Sequence, residues 1–155
     1  MFKHITILSA FLVLLGGPSF AQTNIDLGGM TVDTSAAIEV SSDSLAIDQD
    51  NGTAIFTGNV IIGQGDLRLS AGKVEVVYGA ETSEIARLIA TGGVTFVTAS
   101  EAAEAQSADY DITTGLLTLT GDVLLTQGAS AISAQRMIVN VKTGTASMEG
   151  RVRTV

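Results

Sequence analysis

Side chains able to do acid–base or nucleophilic chemistry are sparse in this chain, and they fall where turns are expected. The sequence has no Cys and a single His, His4, so no Cys–His or Ser–His pair can form beyond the N-terminal segment. Two carboxylate pairs, Asp48 with Asp50 and Asp109 with Asp111, each precede a glycine turn signal. Such spacing is more typical of solvated turn residues than of a catalytic pair. We therefore expect no enzymatic activity.

The first carboxylate pair also has the spacing that opens a calcium-binding loop, with Asp48, Asp50 and Gly52 at alternate positions. That loop requires a bidentate Glu at its twelfth position, which here is Asn59. Asn51-Gly52 between two alternating segments is instead the strongest short signal for a β-hairpin. The segment therefore predicts a hairpin, and we expect the protein to use neither a metal nor a cofactor.

The clearest structural pattern is a strand with a glycine inside it, from Phe56 to Gly65. Phe56, Val60 and Ile62 share one parity, which is the period of a strand with one buried face. Gly58 lies inside this strand, where a glycine marks a bend, a bulge or a close approach of another backbone. The segment Gly63-Gln64-Gly65 is then expected to turn the chain into a second alternating strand.

The same pattern recurs along the chain. Leu119 to Val123 repeats Phe56 to Val60 at a distance of 63 residues, and weaker copies place the bend glycines at positions 58, 92, 121 and 150. Steps of this size are typical of stacked supersecondary units that share one core. Glu101 to Ala105 has local helical propensity, but the repeat places it in a strand or loop. Short alternating segments with glycine turns predict an antiparallel all-β fold, either a two-sheet jelly roll or a rolled, open β-sandwich.

The N-terminal segment, Met1 to Ala21, has the features of a secretory signal peptide: a positive start, a short apolar core and small residues before the cleavage position. Its apolar core is shorter than the roughly 20 residues that span a bilayer. We expect cleavage after Ala21, a loose leader over residues 22–37 and one β domain over residues 38–155.

Composition restricts the partners of the exported chain. Removal of 21 residues leaves 134 of the 155, with 16 acidic residues against seven basic ones and a net charge of −9. This acidity argues against a nucleic-acid partner. The absence of Cys means that no disulfide supports the domain, so its stability must come from the sheet and its packing.

An unusually long set of apolar residues shares the inward parity of the predicted strands. These side chains either fill a conventional core or line two sheets that stay apart at one edge and hold a lipid between them. The pattern by itself favours neither interpretation.

The stretch from Phe56 to Gly65 resembles the LptA (OstA-like) family of periplasmic lipopolysaccharide transport proteins of Gram-negative bacteria. The family pattern is Phe-Thr-Gly-Asn-Val, then Gln-Gly, then a strand that ends Ala-Asp-Lys-Val. Here the last part is Ala71-Gly72-Lys73-Val74, so Gly72 replaces the family's Asp and any role of that carboxylate is in doubt. The opening Ile38 to Leu45 and the second unit Leu119 to Val123 resemble the family as well. The resemblance extends over Ile38 to Val152.

The resemblance implies a β-jelly roll that is open at both ends, with acyl chains inside and sugars and phosphates outside. The protein would be a passive conduit for lipopolysaccharide, with no turnover of its own, in the biogenesis of the outer membrane. The residues expected to face the lipid are Ile38, Val40, Phe56, Val60, Ile62, Leu67, Leu69, Val94, Phe96, Leu119, Val123 and Leu125. The cations that could contact phosphates are Arg68, Lys73, Arg87 and Arg136.

The implied partners are lipopolysaccharide through its lipid A, an LptC-like protein at the inner membrane and an LptD-like protein at the outer membrane. The protein partners would pair through edge strands. Copies of the chain are expected to assemble head to tail in the periplasm, because the last strand, Ala146 to Val155, has no covering tail and could meet the strand around Ile38 to Val40 of the next copy.

Three alternatives remain at this point. The first is an LptC-like, membrane-anchored jelly-roll partner of the same export system. The second is a structural β-solenoid or adhesin-type protein with a filled core, which would take up no lipid. The third is an enzyme on a β scaffold, which the scarcity of His and Cys disfavours.

Overall fold

The structure is a computed structural model that describes residues 23–26, 33–81 and 83–155. The predicted signal peptide lies outside these residues. The described part of the chain forms strands and turns, and it contains no helix that could cross a membrane. The strands are β1 (Thr23–Asp26), β2 (Glu39–Ser41), β3 (Ser44–Asp48), β4 (Thr53–Gln64), β5 (Leu67–Tyr78), β6 (Ile85–Thr91), β7 (Val94–Val97), β8 (Glu101–Ala105), β9 (Ser107–Asp111), β10 (Leu116–Gln127), β11 (Ser130–Asn140), β12 (Thr145–Glu149) and β13 (Arg153–Thr154).

All thirteen strands belong to one antiparallel sheet that folds over on itself. Each of the four long strands, β4, β5, β10 and β11, pairs with different neighbours before and after its midpoint. The first layer therefore contains β3, β6, β9, β12 and β1, and the second contains β2, β7, β8 and β13, with half of each long strand in either layer. This arrangement confirms the predicted antiparallel all-β jelly roll.

The fold line between the layers consists of four two-residue bends, and we call it the bend seam. The bends are residues 58–59, 92–93, 121–122 and 150–151, and all eight residues have positive φ angles. Single residues of the neighbouring strands lie beside the bends. The backbone N–H groups of Asp43, Gln106 and Gln135 donate to the carbonyl oxygens of Gly58, Gly121 and Gly150, respectively, and Gly72 packs on Gly92. The glycine repeat that the sequence predicted is this seam.

At two of these bends, a side chain in place of glycine would meet a neighbouring side chain in addition to the unfavourable backbone conformation. Gly58 has a φ of +82°, and a Cβ there would lie 2.6 Å from Oδ2 of Asp43. Gly121 has a φ of +86°, and a Cβ there would lie 2.5 Å from Oε1 of Gln106. The register of the sheet shifts at both places, so each bend is a β-bulge that turns its strand from one layer into the other.

The departure from the family pattern at Gly72 has a structural reason in this chain. Gly72 occupies the same seam position as Asp43, Gln106 and Gln135, but its neighbour is the double-glycine bend at residues 92–93. A Cβ at Gly72 would lie 3.2 Å from the carbonyl oxygen of Gly92. The two backbones approach more closely here than a side chain at position 72 would comfortably allow.

Three local expectations need correction. The leader over residues 22–37 is not loose throughout, because Thr23–Asp26 forms β1 and pairs with β12. The edge of β12 is therefore covered along residues 145–148, where a free edge was expected. Gln64 belongs to β4 and is buried, so the turn begins at Gly65. In contrast, Glu101–Ala105 is strand β8, as the repeat predicted.

Candidate functional site

The inner faces of the two layers carry all twelve residues that were expected to face a lipid. Nine of them are buried: Val60, Ile62, Leu67, Leu69, Val94, Phe96, Leu119, Val123 and Leu125. The other three, Ile38, Val40 and Phe56, are partly buried and pack against this core. The strand parity was therefore assigned correctly, while lipid contact at these positions stays a prediction.

The interior opens toward solvent at the end formed by β2 and β3. Leu45 is 51% exposed and Ile47 68% exposed, although they pair with the inward-facing Phe56 and Ala54 on β4. At this edge of the sheet, the apolar side chains of Leu45 and Ile47 are on the inner face but remain exposed to solvent. Leu45 and Ile47 were not among the residues predicted to face the lipid. Their parity relative to Phe56 across the hairpin at residues 51–52 would have revealed them.

A buried polar link joins the two layers far from the bend seam. The hydroxyl of Tyr110, on β9, donates to Oε1 of Gln64, at the end of β4, over 3.0 Å. Nε2 of Gln64 donates in turn to the carbonyl oxygens of Thr34 and Ala36, at 3.3 and 3.2 Å. Burial raises the pKa of Tyr110. The link fixes the segment before β2 to both layers, and sequence parity gave no sign of it.

A second polar cluster lies at the β7–β8 hairpin. The carboxylate of Glu101, which is 5% exposed, accepts hydrogen bonds from Thr98 Oγ1 at 3.0 Å and from Ser100 Oγ at 2.5 Å. Nε2 of Gln127 lies 3.4 Å from its other oxygen. These partners satisfy the hydrogen-bonding capacity of the buried carboxyl group, so the cluster leaves no unpaired polar atom of Glu101 in the second layer.

The four cations proposed for phosphate contacts all lie on the outer surface, and the fold brings only two of them to one groove. Arg87 and Arg136 line one open groove of about 850 Å³, and Arg68 lines a separate groove of about 500 Å³. Arg87 forms an ion pair with Asp109, and its hydrogen bonds with that carboxylate raise the pKa of Arg87. Lys73 is exposed near the bend seam.

The carboxylates at the hairpins have structural partners. Asp48 accepts hydrogen bonds from the side chain of Asn51 at 2.8 Å and from the backbone of Asp50 at 3.1 Å. The Asn51 side chain is the main reason why the pKa of Asp48 is lowered. Asp111 accepts from the backbone N–H of Thr114 at 3.1 Å. The predicted hairpin at residues 48–52 is confirmed, and Asp48 acts there as the turn residue.

Fold and interior together define a class of protein: a folded-over antiparallel sheet whose apolar inner face reaches solvent at one end, a form of the jelly-roll architecture. The chain belongs to the family described as LptA/(LptD N-terminal domain) LPS transport protein, which it matches over residues 39–145. The family that the Phe56 to Gly65 motif suggested is therefore confirmed.

Three relatives illustrate the similarity. The chain is 30% identical over 152 residues to an uncharacterized protein, R00383, of Rhizobium meliloti, with 90% of this chain and 82% of that protein covered. It is 34% identical over 70 residues to the lipopolysaccharide export system protein LptA of Escherichia coli, over 45% of this chain and 34% of that protein. The crystal structure of LptH, the LptA-homologous periplasmic component of lipopolysaccharide transport in Pseudomonas aeruginosa, superposes with a TM-score of 0.70 at 16% identity, over 80% of this chain and 97% of that one.

Proposed function

We propose that this protein binds lipopolysaccharide and carries it across the periplasm as one section of a bridge between the inner and outer membranes. The acyl chains of lipid A would lie between the two layers, while the sugars and phosphates stay outside. Family membership supports the transport role, and the apolar inner face supports the position of the lipid. The protein acts as a conduit and catalyses no reaction.

The observation that carries this proposal is the asymmetric exposure of the inner face. Deep in the sheet, Phe96, Leu119 and Leu125 are fully buried by contacts between the layers. At the end formed by β2 and β3, Leu45 and Ile47 are exposed, and Phe56 is only partly buried behind them. A protein that needed only a filled core would gain by burying these side chains, since each buried CH₂ contributes about 0.8 kcal/mol. An acyl chain entering at this end would cover them.

The bridge would be assembled through edge strands. We propose that copies of the chain join head to tail and that LptC-like and LptD-like jelly-roll proteins extend the same continuous sheet at its two ends. Contacts between two different ends propagate into a filament instead of closing into a dimer. The location would be the periplasm, reached through the cleaved signal peptide, Met1 to Ala21.

A photo-crosslinking amino acid at Phe56 tests the lipid path in living cells. Phe56 faces inward near the open end, while Thr57, its neighbour, is exposed on the outer face and gives a matched control. We expect ultraviolet-dependent adducts with lipopolysaccharide at position 56 and few or none at position 57. A folded, exported protein that gives no adduct at position 56, or equal adducts at both positions, would support the filled-core alternative.

A further inference from the structure

Across the sheet, the bend seam alternates between a two-residue bend and a single residue of the next strand. Among the residues that the structure describes, the last member at each edge has a neighbour on one side only. Along the seam, Gly72, Gln106 and Gln135 each lie between two bends. In the described part of the chain, Asp43 lies beside only one bend, residues 58–59, and the last bend, residues 150–151, lies beside only Gln135. At the edge with Asp43, the missing neighbour is thus a bend. At the edge with residues 150–151, the missing neighbour is a single residue.

We propose that a second copy docks with its Asp43 beside residues 150–151, and that β1 of the same chain occupies part of this site at rest. The inference rests on the proposed head-to-tail assembly, and it adds the register of the contact and an internal competitor. The strands β2 and β3 run antiparallel to β4. Because β12 and β13 have the same direction as β4 in the alternating sheet, β2 and β3 of a second copy would lie antiparallel to them.

The seam defines the pairing residue by residue. Thr57, just before the bend at residues 58–59, pairs with Ser44, and Glu149 stands in the same place before the bend at residues 150–151. Transferring the β3–β4 register to the other edge places Ser44 of the second copy opposite Glu149. It likewise places Ala46 opposite Ser147 and Ile47 opposite Ala146. Beyond the bend, it places Ser41 of the second copy opposite Arg153.

The β1 strand occupies the same positions along β12. Asn24 pairs with Ser147 and Ile25 with Ala146, where Ala46 and Ile47 of the second copy would pair. Two of the four aligned residues are also identical, since Ile25-Asp26 of β1 corresponds to Ile47-Asp48 of β3. Because β1 is covalently attached to the sheet it covers, its effective concentration at this edge is high, of millimolar order for a short tether. It therefore competes with the incoming strand.

The two edges are complementary in charge and in apolar surface. Arg151 and Arg153 are exposed at the receiving edge, while Glu39 and Asp43 are exposed at the incoming one. In the proposed register, Leu45 and Ile47 of the second copy would lie beside Met148 and Ala146, which belong to the buried core. Docking would therefore cover the two exposed inner-face side chains and continue the apolar interior from one copy to the next.

Introduced cysteines test the register, because the chain has none of its own. Mixing Ala46→Cys protein with Ser147→Cys protein under mild oxidation should give a disulfide-linked dimer that contains one copy of each variant. Ala46→Cys mixed with Thr145→Cys, two residues out of register, is the control and should cross-link much less. Equal cross-linking of both mixtures, in samples that assemble, would overturn the register.

A second pair of cysteines tests the competitor. Asn24→Cys with Ser147→Cys in one chain should lock β1 on β12 and give an oxidised monomer that no longer assembles, and reduction should restore assembly. The control is Ser70→Cys with Thr95→Cys, a neutral pair across β5 and β7 in the middle of the sheet, which should not change assembly. An oxidised, locked monomer that assembles as well as the reduced form would overturn the role of β1.

The outcomes separate this inference from the proposed function. If the unmodified chain stays monomeric at every concentration but binds lipopolysaccharide, the docking inference fails and the lipid-binding proposal stands. If the chain assembles in the predicted register but takes up no lipopolysaccharide, the inference stands and the proposed function fails. Intermolecular ladders from the Asn24→Cys and Ser147→Cys double variant would show β1 of one copy on β12 of another, and would overturn its role as an internal competitor.

Discussion

At the scale of single residues, the link between Tyr110 and Gln64 is a buried hydrogen bond that joins the two layers through the apolar interior. Both side chains are buried, at 3% and 2% exposure. Tyr110→Phe removes the donor and leaves Oε1 of Gln64 buried without it, which typically costs about 1–3 kcal/mol. We expect a loss of stability in that range, measured by urea unfolding. Tyr78→Phe is the matched control, because Tyr78 is 38% exposed and should change stability little.

Adding Gln64→Leu to Tyr110→Phe distinguishes a specific hydrogen bond from general packing. If the bond matters, the double variant should lose less stability than the sum of the two single variants, since neither member of the Tyr110–Gln64 pair is then left buried without the other. The bonds from Gln64 to Thr34 and Ala36 are lost in Gln64→Leu and in the double variant alike, so they cancel in this comparison. Strict additivity would contradict the importance of the link.

The pH dependence of stability provides a second test of Tyr110. An unfolded tyrosine has a pKa of about 10, and burial raises the pKa of Tyr110 in the folded chain. The folded state therefore keeps a proton that the unfolded state loses, so this contribution is fully present below pH 10 and is lost as pH rises through the folded pKa. The difference in unfolding free energy between wild type and Tyr110→Phe should shrink above about pH 10. A difference that is constant with pH would contradict this.

At the scale of strands, the bends decide whether the sheet can fold over. Gly121 and Gly128 lie in and just after β10, and both have positive φ angles, +86° and +58°. An Ala at either position costs roughly 1–2 kcal/mol for the backbone alone. A Cβ at Gly128 meets nothing within 4 Å, whereas one at Gly121 would lie 2.9 Å from Cβ of Gln106. Thermal unfolding should therefore find Gly121→Ala clearly less stable than Gly128→Ala. Equal losses would mean that the seam has room for a side chain.

Many of the strands and the bend glycines could be predicted from the sequence, because these features depend on local signals. Alternating parity placed Val60, Ile62 and Phe96 on the inner face, and repeated glycines marked the bends. Other features depend on contacts between distant residues. The partner of β1 is a strand more than 100 residues away, and Thr23–Asp26 has little pattern of its own. The link from Tyr110 to Gln64 likewise depends on how the two layers face each other.

At the scale of the whole molecule, the two ends of the sheet differ. The edge at β12 is covered by β1, whereas β3 is exposed along all five of its residues. Long-range electrostatics do not favour the proposed ligand, because the chain is acidic and lipopolysaccharide is anionic. Salt screens such repulsion beyond about 8 Å at physiological ionic strength, so short-range apolar contacts must determine affinity. The exposed inner face at β3 is where we expect those contacts to begin.

Replacing Ile47 with a polar residue tests this directly. Ile47 is 68% exposed on the inner face of β3, and Ile61 is 49% exposed on the outer face of β4. Since neither side chain is part of the core, Ile47→Ser and Ile61→Ser should each change unfolding free energy by about 0.5 kcal/mol or less. Only Ile47→Ser should weaken both lipopolysaccharide binding and concentration-dependent assembly measured by light scattering. If the two variants bind and assemble alike, the apolar surface at this end serves neither the lipid nor the next copy, and its exposure would need another explanation.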